Sequence, residues 1–254
     1  MPACVLPYFE GMRRLTLALG VVCTAALPTV ETAWLRRRFR HAHRLASTAI
    51  CHLGEFAIGA GDDPLNLLVL GDSIAAGLFI ERFEQSLGGL VATALAAEQG
   101  RPVRCLNLAQ PGAACRELLG QVPAQAQADV ALVVIGANDV ARHTPLLRFE
   151  AELEQTLAAL DGVGEVLLFG PCDISGVPLF PFWLRRFVAY RMRHYIARME
   201  AVAARHANVG YAWFPPSAGL PASFFAADRF HPNADAHQLL ADRLLAGREG
   251  PLAA

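Results

Sequence analysis

Two short apolar runs, 65–70 (LNLLVL) and 130–135 (VALVVI), each stop at a glycine followed by polar residues, Gly71-Asp72-Ser73 and Gly136-Ala137-Asn138-Asp139. Runs this short are strands rather than buried helices, and their near-continuous apolar character suits strands covered on both faces. A sheet covered on both faces needs helices between its strands. The intervening sequence supplies them at 87–98, at 148–160 with Phe149, Leu153 and Leu157 on one face, at 182–207 with Leu184, Phe187, Val188, Tyr195, Met199 and Val202 at helical spacing, and at 234–245. Residues 103–108, 165–169 and 208–213 read as further strands, and 116–127 as helical or irregular. Strands alternating with helices imply an α/β protein with a mostly parallel sheet and helices on both of its faces.

The first sixty residues break this pattern. Residues 15–30 (LTLALGVVCTAALPTV) carry no charge, Arg13 and Arg14 precede them, and Arg36, Arg37, Arg38, Arg40 and Arg44 follow. A spanning helix needs about 20 apolar residues, which an extension to Leu35 nearly reaches. The segment reads as a membrane anchor or interfacial helix at 15–35, as an export signal, or as a helix packed in the core. The five arginines after it outnumber the two before it, which favours a membrane-associated or cytoplasmic chain over an exported one. Met12 opens MRRLTLALG and reads as an alternative start. The Gly-, Asp- and Pro-rich GAGDDP at 59–64 reads as a linker, separating a helical N-terminal extension at 1–60 from a domain at 64–250.

Composition removes several classes of function. Net charge is -1 and every basic residue is arginine, so no broad positive field exists to hold nucleic acid. The six cysteines form no C-x-x-C pair, which argues against a zinc site. Cys105 and Cys115 are close enough in sequence to pair, but buried free thiols are the simpler reading.

In parallel sheets, ligands bind beyond the carboxyl ends of the strands. The segments found there are GDS at 71–73, NLAQPGA at 107–113, GAND at 136–139, GPCD at 170–173 and FFAADRFHPNADAH at 224–237. A serine needs a base to become a nucleophile. His231 is the candidate base for Ser73, and Asp228, three residues earlier, is placed to fix its tautomer. The N–H groups of Ser73 and Gly112 and the side-chain amide of Asn138 are candidate donors to an oxyanion. Each residue also has a plainer reading. Ser73 and Asn138 suit helix caps, as does Asp139, to which no catalytic role is given. Asp72 suits a turn buttress, and His231 a surface histidine. The segment 177–187 (VPLFPFWLRRF) suits an acyl pocket or a lipid contact, or, for Phe182 and Phe187, the packed start of a helix.

Taken together, GDSIAAG, NLAQPGA, GAND and DRFHPN resemble, in order and spacing, the four blocks of the SGNH/GDSL hydrolase superfamily across about residues 65–245. The resemblance implies a three-layer α/β/α sandwich with a flavodoxin-like sheet. It also implies esterase, lipase, thioesterase or deacylase activity on a small-molecule or lipid acyl ester. Ser73, His231 and Asp228 would be the catalytic triad, Ser73, Gly112 and Asn138 the oxyanion hole, with no metal and no cofactor. GPCD resembles a Gly-x-Pro-Asp loop of bacterial esterases, but Cys172 interrupts the Pro-Asp pair, so no role passes to Asp173. Nucleotide-binding glycine motifs and G-x-S-x-G are absent from the sequence. The remaining alternatives are a non-catalytic membrane-tethered scaffold of the same fold and a carbohydrate O-acetyl esterase.

Overall fold

The apolar runs form strands buried on both faces. The computed structural model describes residues 44–172, 174–177, 180, 182–213 and 221–247. Its strands are β1 (Gly54–Ile58), β2 (Leu65–Gly71), β3 (Val103–Asn107), β4 (Val130–Val134), β5 (Glu165–Phe169) and β6 (Val209–Ala212). The α-helices are α1 (Leu87–Gln99), α2 (Cys115–Leu118), α3 (Ala137–Arg142), α4 (Leu146–Ala158), α5 (Phe182–Ala203) and α6 (Ala234–Ala246). The six strands lie in the order β1-β3-β2-β4-β5-β6. β2 to β6 are mutually parallel, and β1 runs antiparallel to β3 along the edge. Without β1 the order is that of a flavodoxin-like sheet, whose switch point lies where connections leave the first parallel strand in opposite directions. That strand is β2, and it ends at Ser73's turn.

Alternation along the strands sorts the core into two layers. Leu67, Val69, Leu132, Val134, Leu167 and Phe169 pack with Leu87, Val91 and Leu95 of α1 and Leu240 and Leu244 of α6. The intervening Leu68, Leu70, Val133 and Leu168 are equally buried on the opposite face. Phe149, Leu153 and Leu157 of α4 and Leu184, Val188, Met192 and Met199 of α5 are also buried, and α4 meets α5 edge-to-face through Phe149 and Tyr195, ring centroids 5.0 Å apart. The result is the expected α/β/α sandwich.

β1 is not among the elements expected from the sequence. The sequence pattern places it in the extension, yet all five of its residues pair with β3, and Phe56 stacks on Phe83 with ring centroids 4.0 Å apart. The boundary expected at 59–64 is therefore a turn between two strands of one sheet rather than a linker between domains. The segment before β1 is fastened too. The His52 N–H donates to Ala76 O at 2.8 Å, His52 Nε2 donates to Ile80 O at 2.8 Å, and the Phe79 N–H donates to Ile50 O at 3.1 Å. The apolar segment at 15–35, with its three readings, lies outside the described residues. Among the described residues no helix is long and apolar enough to cross a membrane. Cys105 and Cys115 are free, buried thiols, and burial pushes Cys105 up to about 12.

Candidate active site

β2 ends in a conformation that only glycine supplies. Gly71 has φ +135°, and a Cβ there would come 2.0 Å from Val134 O, so β2 and β4 approach too closely for any side chain. Both polar groups of Gly71 are held by one buried side chain. Gln121 Oε1 accepts the Gly71 N–H at 2.7 Å, and Gln121 Nε2 donates to Gly71 O at 3.0 Å. Gln121 was not recognised in the sequence. It falls in an irregular stretch without periodicity, and only the fold reveals that it faces inward.

From this clamp the chain enters a series of turns rather than a helix, so Ser73 is not a helix cap. Asp72 is the buttress expected of it, since its Oδ1 accepts the Ile74 N–H at 2.9 Å. It is buried, at 2% exposure, and burial raises its carboxyl from 3.8 to about 7, against the lowering effect of the Ile74 hydrogen bond. The unfolded chain releases this proton near pH 4 and the folded chain only near 7, so stability falls between those values as pH rises. Asp72→Asn keeps the Ile74 acceptor and removes the ionisation. The variant should therefore gain on the wild type, on the order of 2–4 kcal/mol, between pH 4 and pH 8. Urea unfolding of both proteins at the two pH values measures this, and an equal difference at both would show that Asp72 carries no such burden.

His231 arrives from the other end of the chain on a loop held by its own backbone. The Ala226 N–H donates to His231 O at 2.8 Å and the Asn233 N–H to Phe224 O at 3.0 Å. Asn233 then caps α6, accepting the Ala236 N–H at 3.1 Å. α6 is located by the buried His237, whose Nδ1 accepts the Leu87 N–H at 2.9 Å at the start of α1. Desolvation lowers His237 to about 3, so it is neutral and serves as an acceptor. Its structural role was also missed, because one histidine on an apolar helix face carries no signal of what it will meet.

The structure brings Ser73, His231 and Asp228 together in a line. His231 Nε2 lies 3.1 Å from Ser73 Oγ, and Nδ1 lies 2.6 Å from Asp228 Oδ2. Asp228 Oδ1 accepts the N–H groups of Phe230 and His231, each at 3.0 Å. Burial alone would raise the Asp228 carboxyl, but the His231 hydrogen bond and charge and these two N–H groups outweigh it and hold it below the usual value. An ionised Asp228 accepts Nδ1–H, which leaves Nε2 as the acceptor for the Ser73 hydroxyl. The His231 side chain is 14% exposed, so it is no surface histidine, and Phe79 and Phe230 flank its ring at centroid distances of 5.5 and 5.0 Å.

The segment after β3 is held against this line. The Gln110 N–H donates to Gly71 O at 2.9 Å, and the buried Asn107 donates to Ala75 O at 2.9 Å. Gly112 has φ +83°, a conformation natural to glycine. Its carbonyl accepts Arg142 Nη2 at 2.6 Å, Ala113 O accepts Asn138 Nδ2 at 2.9 Å, and Asp139 Oδ2 accepts the Cys115 N–H at 2.9 Å. Three side chains of α3 thus grip three residues of the neighbouring segment, Gly112, Ala113 and Cys115. Asp139 is a cap as expected, but of α2 rather than of its own helix, and Asn138 holds a neighbouring loop rather than capping α3. The N–H groups of Ser73 and Gly112 have no acceptor among the described residues. The second N–H of the Asn138 amide is not used by its bond to Ala113. Asp173 lies outside the described residues.

The model of the GDSL-like lipase/acylhydrolase family matches residues 69–239. A curated GDSL-like esterase of Mycobacterium tuberculosis is 30% identical over 190 residues, which cover 71% of this chain and 60% of that protein. This chain therefore spans about three fifths of the length of that relative. Among solved structures, an acetylxylan esterase from Geobacillus stearothermophilus aligns with a TM-score of 0.56 and 23% identity, covering 78% of this chain and 99% of that one. An extracellular lipase from Streptomyces rimosus aligns with a TM-score of 0.53 and 18% identity, covering 72% of this chain and all of that one. At these identities the two structures show a shared fold.

Proposed function

From the premise that the chain belongs to the GDSL-like lipase/acylhydrolase family, we propose that it hydrolyses acyl esters with Ser73 as nucleophile. The observation that carries this reading is the line Ser73 Oγ, His231 Nε2, His231 Nδ1, Asp228 Oδ2, with separations of 3.1 and 2.6 Å. Ser73 Oγ attacks the ester carbonyl while His231 Nε2 takes its proton. Asp228 keeps Nδ1 protonated and stabilises the imidazolium that forms. The carbonyl oxygen becomes an oxyanion and is met by the N–H groups of Ser73 and Gly112 and the amide of Asn138. One such donor contributes about 3 kcal/mol to the transition state. His231 then returns its proton to the departing alkoxide, which leaves an acyl-Ser73. A water, deprotonated by the same imidazole, releases the acid.

The α3 side chains support the oxyanion role. Arg142, Asn138 and Asp139 fix the backbone around Gly112 before any substrate arrives, so the donors need little rearrangement during reaction.

A fluorophosphonate ester tests the proposal directly. Its phosphorus should form a covalent bond to Ser73 Oγ with loss of fluoride, read as one adduct per chain on the peptide containing Ser73. A non-catalytic scaffold of this fold would leave Ser73 unlabelled, and that result would overturn the proposal.

A further inference from the structure

The segment from 174 to 199 holds five arginines, Arg185, Arg186, Arg191, Arg193 and Arg198, and no acid, in a chain whose net charge is -1. Most of it is α5. The apolar side of this helix is buried, but its other side is not simply polar. Phe182 is 74% exposed, Trp183 47% and Tyr190 54%. Phe182 therefore does not pack into the core at the helix start. At helical spacing, Phe182, Arg186, Tyr190 and Arg193 follow one another along one face. The Arg186 guanidinium lies 5.6 Å from the Phe182 ring centroid and Arg193 lies 5.5 Å from that of Tyr190. Neither arginine has a carboxylate partner among the described residues. Exposed aromatics interleaved with unpaired cations contribute little to folding, and a contiguous face of them marks a contact surface.

Its position is informative. α5 follows β5, so the Phe182 end stands at the carboxyl edge of the sheet, the edge on which Ser73 and His231 meet. The helix also packs on α3, with Arg191 Nη1 3.4 Å from His143 Nε2.

We propose that this face of α5 docks on an anionic lipid bilayer. The cations would meet lipid phosphates, and Phe182 and Trp183 would enter the headgroup boundary, a depth that suits amphipathic aromatic rings. A nucleic acid is the competing polyanion, but it calls for an extended basic field, whereas this patch occupies a few turns of one helix in a chain without net positive charge.

The docking needs no chemistry at Ser73, so the experiment uses the full chain carrying Ser73→Ala, and its outcome is independent of the proposed hydrolysis. Vesicles of phosphatidylglycerol and phosphatidylcholine, brominated on their acyl chains, are titrated against tryptophan emission. Quenching should appear with the anionic vesicles, be smaller in the Trp183→Phe variant, whose emission comes from Trp34 and Trp213 alone, and be weaker with phosphatidylcholine alone. Arg186→Gln with Arg193→Gln should weaken binding roughly thirtyfold, from the attraction lost with two surface cations. These positions are exposed, so the variants fold. Quenching undiminished in Trp183→Phe, or a Trp183-dependent share of quenching unaffected by loss of both arginines, would overturn the proposal even if the chain reaches the membrane through another segment. Trp183 quenching by a single-stranded oligonucleotide but not by vesicles would overturn it in favour of a nucleic-acid surface.

Discussion

Ser73→Ala should lower kcat on an aryl ester by at least about four orders of magnitude, with the fold intact. The size follows from the way the parts act as a unit. Without Oγ the imidazole has no proton to take and no acyl-enzyme forms, so only binding and the oxyanion donors remain. Ser73 is half-buried and its Oγ contacts His231, so its removal should change stability by no more than about 0.5 kcal/mol. Single-turnover kinetics and urea unfolding on one preparation separate the two effects. Turnover at the wild-type rate would remove Ser73 from the chemistry, and loss of turnover together with unfolding would leave only a structural role.

The second large effect concerns the start of the domain. A chain beginning at Gly61, where the sequence alone places the linker, should fail to fold, whereas one beginning at Arg44 should fold and be active. The shorter chain loses the whole β1–β3 pairing, the Phe56–Phe83 stack and the bonds from His52 and Ile50 to the turns after Ser73. Hydrogen bonds at about 1 kcal/mol each and one aromatic at about 2–3 kcal/mol sum to several kcal/mol. That is comparable with the 5–15 kcal/mol net stability of ordinary domains. β3 would also expose an apolar sheet edge, which invites aggregation. Circular dichroism and gel filtration of the two chains decide the matter. A soluble, cooperatively unfolding chain from Gly61 would show that β1 is dispensable.

That contrast also marks how far the sequence could be read. β2, β4 and β5 were legible because central parallel strands must be apolar on both faces, which leaves a dense local signal. That Ser73, His231 and Asp228 lie together, with the candidates Gly112 and Asn138 on the same edge, was legible because a parallel sheet sends every loop after a strand to one edge. β1 was not. Its GEFAI is short and half-buried, next to a longer and more conspicuous apolar segment, and an edge strand is defined by its partner more than by its composition. Gln121 and His237 were hidden for a related reason. Each is polar, each is buried, and each holds backbone N–H groups that lie far away along the chain, 50 residues for Gln121 and 150 for His237. Long-range polar contacts of this kind leave no periodic trace.

The same long reach has a consequence in time. Ser73 and His231 are 158 residues apart, so during synthesis the turn bearing Ser73 emerges well before its proposed base exists. An unassisted serine hydroxyl is a weak nucleophile, and until β6 has joined the sheet and α6 has settled beside α1 the chain carries only an ordinary alcohol at that position. In the proposed mechanism Ser73 therefore becomes a nucleophile only with the last long-range closure, and the turn that bears it is inert toward esters throughout assembly.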